Sequence, residues 1–128
     1  MNREILFRGW CKCTNEWVYG SLLKDPLGTN MIVYFDEGRT EIWEEVELDS
    51  LGQYTGLKDK NGNKIFEGDI VTIGSCLKAI VIWFNGSFRF QDELSCKATY
   101  FGDIGIIIRD YDVRVIGNVF DDSELMKG

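Results

Sequence analysis

Ala79-Ile80-Val81-Ile82-Trp83-Phe84-Asn85-Gly86-Ser87-Phe88-Arg89-Phe90 is the stretch that decides the fold class. β-Branched and aromatic residues dominate both sides of an Asn-Gly pair. Asn and Gly adopt positive φ at little cost, which is what the two central residues of a tight hairpin turn require. The stretch therefore predicts two antiparallel strands. Just upstream, Gly68-Asp69 leads into Ile70-Val71-Thr72-Ile73, a further strand. Another Asn-Gly pair, Asn61-Gly62, lies between Leu57 and Ile65-Phe66 and predicts a second tight hairpin with positive φ at both centres. Downstream, residues 104–108 and 113–120 are apolar and β-branched and are read as two more strands. Asn118 after Gly117 suits a bulge or turn, and Asp121-Asp122-Ser123-Glu124 could cap one helical turn over Leu125 and Met126.

Toward the N-terminus the same grammar continues. Residues 4–11 alternate as a strand, Thr14-Asn15 marks a turn, and Glu16-Trp17-Val18-Tyr19-Gly20 returns. Asp25-Pro26-Leu27-Gly28 breaks the chain before a strand at 31–35, and Asp36-Glu37-Gly38-Arg39 is another turn. Residues 40–51 fit both periods: Val46 and Leu48 alternate with Glu45, Glu47 and Asp49, whereas Ile42 and Val46 are a helical step apart. Strand is the preferred reading. Short strands punctuated every 8 to 12 residues indicate an all-β, mostly antiparallel fold. The expected architecture is a small SH3-like barrel over residues 53–120. An N-terminal β-meander, about 1–52, packs on it, and residues 121–128 form a closing turn. The whole is one domain, with at most one or two short helical turns.

Composition supports a folded chain: 128 residues, 45% hydrophobic and 13% aromatic, with one proline. Fourteen Lys and Arg against 21 Asp and Glu give a net charge of -7. That sign disfavours direct binding to nucleic acid or to anionic membranes and is compatible with a basic protein partner. No stretch approaches the ~20 apolar residues of a membrane helix, and the first residues lack the pattern of a secretory signal. A cytoplasmic location is expected, and with it free thiols at Cys11, Cys13, Cys76 and Cys96. Cys11 and Cys13, on the same face of a strand by period two, could join Cys76 and Cys96 around a zinc ion. Thiols that merely pack are the preferred reading.

The block Gln53-Tyr54-Thr55-Gly56-Leu57-Lys58-Asp59-Lys60-Asn61-Gly62, continuing through Lys64-Ile65-Phe66-Glu67-Gly68-Asp69-Ile70-Val71, resembles the central motif of the YopX family. Arg3-Glu4-Ile5-Leu6-Phe7-Arg8-Gly9-Trp10 is similar to that family's opening strand. Val115-Ile116-Gly117-Asn118-Val119-Phe120, with Glu124-Leu125 after it, is similar to its closing segment. The chain departs from the pattern at Gly9 and Cys11, where the family tends to run Ala-Trp-Asp, and from Cys76 to Asp112. The resemblance implies a small, mostly β, self-associating protein of a phage or prophage, acting in the bacterial cytoplasm and carrying no assigned biochemical activity. Arg8, Trp10, Tyr54, Lys58, Asp59, Glu67 and Asp69, which stand in these blocks, are the candidate binding residues.

Catalytic chemistry has little to work with. The chain contains no histidine, no Gly-x-Ser-x-Gly elbow and no Gly-rich loop ending in Gly-Lys-Ser/Thr. What remains is carboxylate chemistry at Asp59, Glu67 and Asp69, which could converge on a hard cation or a sugar. Turn-forming roles explain the same residues and are preferred. Glu44, Glu45, Glu47 and Asp49 are read as the solvated face of an edge strand. Trp10, Trp17, Trp43 and Trp83 are read as core rather than as a binding platform. No catalytic residue, metal or cofactor is expected. The leading functional expectation is a self-associating module that binds a host or phage protein. The alternatives are an acidic mimic of nucleic acid, carried by Glu44, Glu45 and Glu47, and a carboxylate- or metal-dependent enzyme built on Glu67 and Asp69.

Overall fold

The computed structural model describes residues 3–75, 77–92, 99–100 and 103–122. Its chain divides into two compact units, Met1–Tyr54 and Thr55–Gly128.

In the first unit, strands β1 (Phe7–Cys11), β2 (Glu16–Lys24), β3 (Asn30–Phe35) and β4 (Glu41–Glu45) form an antiparallel meander. β5 (Gly52–Lys58) begins in this unit and pairs with β1 through Phe7↔Gln53 and Arg8↔Gly52, giving the order β4-β3-β2-β1-β5. One sheet face buries Cys11, Val18 and Ile32 with Val46, flanked by Phe7, Leu22, Tyr34 and Leu51. Period-two alternation makes this possible, because Val18 and Leu22 lie on one side of β2 while Tyr19 and Leu23 lie on the other.

Beyond β4 the expected strand stops. Val46 donates its N–H to the Asn30 carbonyl and Glu47 to the Trp10 carbonyl, and a 3₁₀ turn follows at Leu48–Ser50. The reading of 40–51 as one strand is therefore corrected to a strand followed by a turn. Its physical cause is Ser50: the hydroxyl donates to the Glu47 carbonyl at 2.6 Å and accepts from the Trp10 N–H at 2.7 Å, offering the backbone an alternative to the ladder.

Gly9 admits this crossing. A Cβ there would stand 2.7 to 2.9 Å from three side-chain carbons of Val46. Gly9→Ala is expected to cost about 2 kcal/mol by overpacking, and less than half as much in a Val46→Gly background. Urea denaturation of the four proteins measures that coupling.

The second unit takes the remainder of β5, then β6 (Lys64–Phe66), β7 (Asp69–Ile73), β8 (Leu77–Phe84), β9 (Ser87–Asp92), β10 (Thr99–Tyr100), helix α1 (Ile104–Asp110) and β11 (Val113–Asn118). β6 neighbours β5, and the other strands form an antiparallel sheet in the order β10-β9-β8-β7-β11. Ile65, Val71, Ile73, Ala79, Val81, Phe90, Ile104 and Val113 make its core. The all-β class stands. Among the described residues the pairings leave β10 and β11 as edges and do not close the sheet into an SH3-like barrel.

Residues 104–108 are helical rather than extended. Asp103 caps them, its Oδ1 accepting the Gly105 N–H at 2.8 Å, and Ile104, Ile107 and Ile108 lie at helical spacing against the core while Ile106 is exposed. β-branched composition pointed to a strand; the cap and the i, i+3, i+4 spacing override it. The bulge expected near Asn118 is present, as a register shift between Val115 and Gly117. The helical turn expected over Leu125 and Met126 lies outside the described residues.

Three of the turns share one device. At Asp25, Asp36 and Asp59, the aspartate carbonyl accepts the N–H of the residue three ahead and the aspartate N–H donates to the carbonyl four ahead. Each carboxylate also accepts the N–H of the residue four ahead. The residue three ahead takes positive φ: Gly28 at 84°, Arg39 at 60° and Gly62 at 83°. This is a type I turn followed by a one-residue bulge. It corrects the tight turn expected at Asn61-Gly62, where Gly62 alone is left-handed. Asn85-Gly86, with φ of 49° and 81°, is the tight turn expected of it. Because Arg39 bears a Cβ in a region where glycine is at ease, Arg39→Gly is expected to stabilise by about 0.5 kcal/mol, the relief of left-handed strain being partly offset by unfolded-state entropy. A rise of about 2 °C in Tm would show it.

Candidate functional site

The carboxylates nearest to a catalytic arrangement in sequence serve the backbone. Asp59 is 6% exposed. Its Oδ1 accepts the Asn61 and Asn63 N–H groups at 2.9 and 2.8 Å; its Oδ2 accepts the Asn63 side-chain amide at 3.2 Å and the Val115 N–H at 2.9 Å. Burial pushes this carboxyl up, but the hydrogen bonds from Val115, Asn63 and Asn61 outweigh it and hold it below the ordinary aspartate range. Asp69, 2% exposed, accepts the Phe66 N–H at 2.7 Å across the turn at Glu67 and Gly68. Glu67 is half-buried in that turn. Among the described residues, no group of three or more Cys, Asp or Glu side chains gathers in a way that could hold a metal ion.

Arg8, Trp10 and Tyr54 fall in the first unit; Lys58, Asp59, Glu67 and Asp69 fall in the second. The Arg8 guanidinium is buried over the Trp17 ring, 4.9 Å from its centroid. Trp10 meets Trp17 edge to face at 5.7 Å. Tyr54 is buried, with its N–H donating to the Leu6 carbonyl, and Lys58 is exposed at the end of β5. The opening block pairs with residues 52–54, and the central block is tied to the closing block by the Asp59–Val115 bond, by Lys60 N–H to the Val113 carbonyl, and by Val119 N–H to the Gly68 carbonyl.

The cysteines divide. Cys11 is buried, and its Sγ donates to Glu44 Oε2 at 3.3 Å; Cys13 is exposed in the turn after β1. The expected shared strand face for this pair does not form, because β1 ends at Cys11. Cys76 and Cys96 lie outside the described residues. Beside Cys11 and Glu44, Tyr34 has its phenol pushed up, by burial first and then by the carboxylates of Glu44 and Glu16.

A different surface stands out in the first unit. On the sheet face opposite the core lie Tyr19 and Leu23 of β2, Phe35 of β3 and Trp43 of β4. The registers Leu23↔Met31↔Glu45, Ser21↔Val33↔Trp43 and Phe35↔Glu41 put all three strands' outward residues on one side. Phe35 is 65% exposed and Trp43 46%. The core reading of the tryptophans is corrected accordingly: Trp43 and Trp83 are exposed, while Trp10 and Trp17 are half-buried. The signal for Trp43 was in the sequence, since alternation with Glu41 and Glu45 puts the ring on the charged side of its strand. Carboxylates rim this face. Glu41 accepts the Trp43 indole N–H, and Glu45 is exposed on the same side. Glu44 points the other way, toward Cys11, so Glu44 and Glu45 do not form one row of phosphate-like charge.

No curated protein matches the chain. The crystal structure of protein EF1440 from Enterococcus faecalis is similar at 26% identity and a TM-score of 0.60, over 98% of this chain and 99% of that one. The YopX protein family model matches residues 6–127. With that match over nearly the whole of its length, the chain belongs to the YopX family.

Proposed function

We propose that this chain is a protein-binding module of phage or prophage origin. It recognises a host or phage protein through the outward face of β2, β3 and β4 and also self-associates. One observation carries this reading: large apolar side chains, Tyr19, Leu23, Phe35 and Trp43, are exposed together on a single sheet face. Scattered exposed hydrophobics are ordinary, but a contiguous set rimmed by charge is characteristic of interaction surfaces. The candidate carboxylates Asp59 and Asp69, by contrast, are occupied by backbone donors.

The test is capture on tagged protein, comparing the wild type with a Leu23→Ser, Phe35→Ser variant. Both side chains are substantially exposed, so the variant is expected to fold with stability within about 1 kcal/mol of the wild type. A partner retained by the wild type and lost by the variant is the expected result; equal retention overturns the assignment of the face. Sedimentation velocity at tens of micromolar subunit reads self-association separately, and a purely monomeric boundary contradicts that part.

A further inference from the structure

The outward face of the first unit includes a strand edge as well as side chains. In the order β4-β3-β2-β1-β5, β4 has β3 on one side, and among the described residues no strand pairs with its other side. Protein sheets commonly blunt such an edge with proline, lysine, a bulge or very short length. Of such devices β4 carries only charge: it reads Glu41-Ile42-Trp43-Glu44-Glu45, and its register with β3 runs unbroken from Phe35↔Glu41 to Met31↔Glu45. Glutamates hold the place of the usual guards, and the sign of their charge selects among incoming strands.

We propose that β4 accepts an extended cationic segment of a partner protein, which adds to the sheet as a further strand. Lys or Arg side chains on alternate residues lie against Glu41, Trp43 and Glu45. The proposal rests on the protein-binding reading above and names the kind of partner. Three observations converge on it. The open edge offers backbone hydrogen bonds, the source of affinity in strand addition. The period of two puts Glu41, Trp43 and Glu45 on one face, so that only every second partner residue is read. The Trp43 indole N–H is held by Glu41, and the residue is 46% exposed, open to a cation stacking on its ring.

A second copy of this chain is a poor occupant of the same edge. Antiparallel pairing of two β4 strands centred on Trp43 would set Glu41 of one opposite Glu45 of the other, like charges directly facing. Glu44 takes no part, since it faces Cys11 on the core side. The net charge of -7 further favours encounter with a basic segment.

The probe is a short synthetic peptide of alternating arginine and threonine, titrated into the full chain at low ionic strength with tryptophan fluorescence or anisotropy as the readout. Two control peptides accompany it: one with alternate backbone amides N-methylated and charge unchanged, and one with glutamate in place of arginine. Binding of the cationic peptide is expected to weaken about tenfold on N-methylation, and by a similar factor in a Glu41→Gln, Glu45→Gln variant or in Trp43→Ala. Equal binding by the N-methylated peptide would reduce the effect to bulk charge attraction and overturn strand addition. Absence of binding by any cationic peptide overturns the proposal as a whole, as does indifference to the three side chains. If the Leu23→Ser, Phe35→Ser variant loses its captured partner while the peptide arms fail, the edge proposal falls and the protein-binding face stands. If that variant captures as the wild type does, the face itself falls.

Discussion

Asp59→Ala is expected to lower the free energy of unfolding by about 4 kcal/mol, among the largest effects of any single substitution in the second unit. Four donors converge on this carboxylate, and one of them, Val115 N–H, belongs to β11, 56 residues downstream. Removing the acceptor undoes the turn and strips the first residues of β11 of a partner at once, since Lys60 N–H to the Val113 carbonyl depends on the same turn position. A hydrogen bond to a charged group contributes roughly 1.5 to 3 kcal/mol, and four on one carboxylate overlap rather than add.

Asp59→Asn retains the shape, loses the charge and is expected to cost about half as much. The pH dependence has a definite sign. The folded-state pKa of Asp59 is depressed, so its contribution is fully present above the unfolded value of about 3.9 and is lost as pH falls through the folded value. Wild-type stability should therefore decline on acidification below about pH 4, and the difference between wild type and Asp59→Asn should shrink over the same interval. Denaturant titrations at several pH values measure both. A difference that stays constant through the acid range would show that Asp59 is not the titrating group.

Gly20→Ala should be comparably severe in the first unit, at least about 3 kcal/mol, for a steric reason. A Cβ at Gly20 would stand 2.2 Å from the Val33 carbonyl oxygen and 3.2 Å from Ile32 Cγ2. The nearer atom is backbone of β3 and cannot rotate away, so β2 and β3 would have to separate where Ser21↔Val33 begins their pairing. Ser21→Ala, one residue on and exposed, is the control and should shift stability by no more than about 0.5 kcal/mol. Equal effects of the two substitutions would mean that close packing at Gly20 is not what holds the meander.

Local chemistry was legible wherever a few neighbouring residues decide the outcome. Asn85-Gly86 dictated its turn because both residues tolerate positive φ. Asp25, Asp36 and Asp59 opened turns because an aspartate side chain reaches the amides just ahead of it. The helix at Ile104–Asp110 was hidden by its β-branched composition, although the Asp103 cap and the isoleucine spacing were both readable. The end of β4 was hidden because the Ser50 hydroxyl answers to Trp10, forty residues earlier.

The candidate site divides along the same line. Alternation by itself determined that Trp43 shares a side with Glu41 and Glu45, and composition determined the net charge of -7. Only the tertiary structure decided that Asp59 is a clamp on β11 and that Tyr19, Leu23, Phe35 and Trp43 form one exposed face. It also decided that, among the described residues, β4 is an edge. Sequence specifies what a residue can do with its near neighbours; strand register and order, set by pairing and burial between distant segments, decide which of those capacities are spent inside the fold and which remain on its surface.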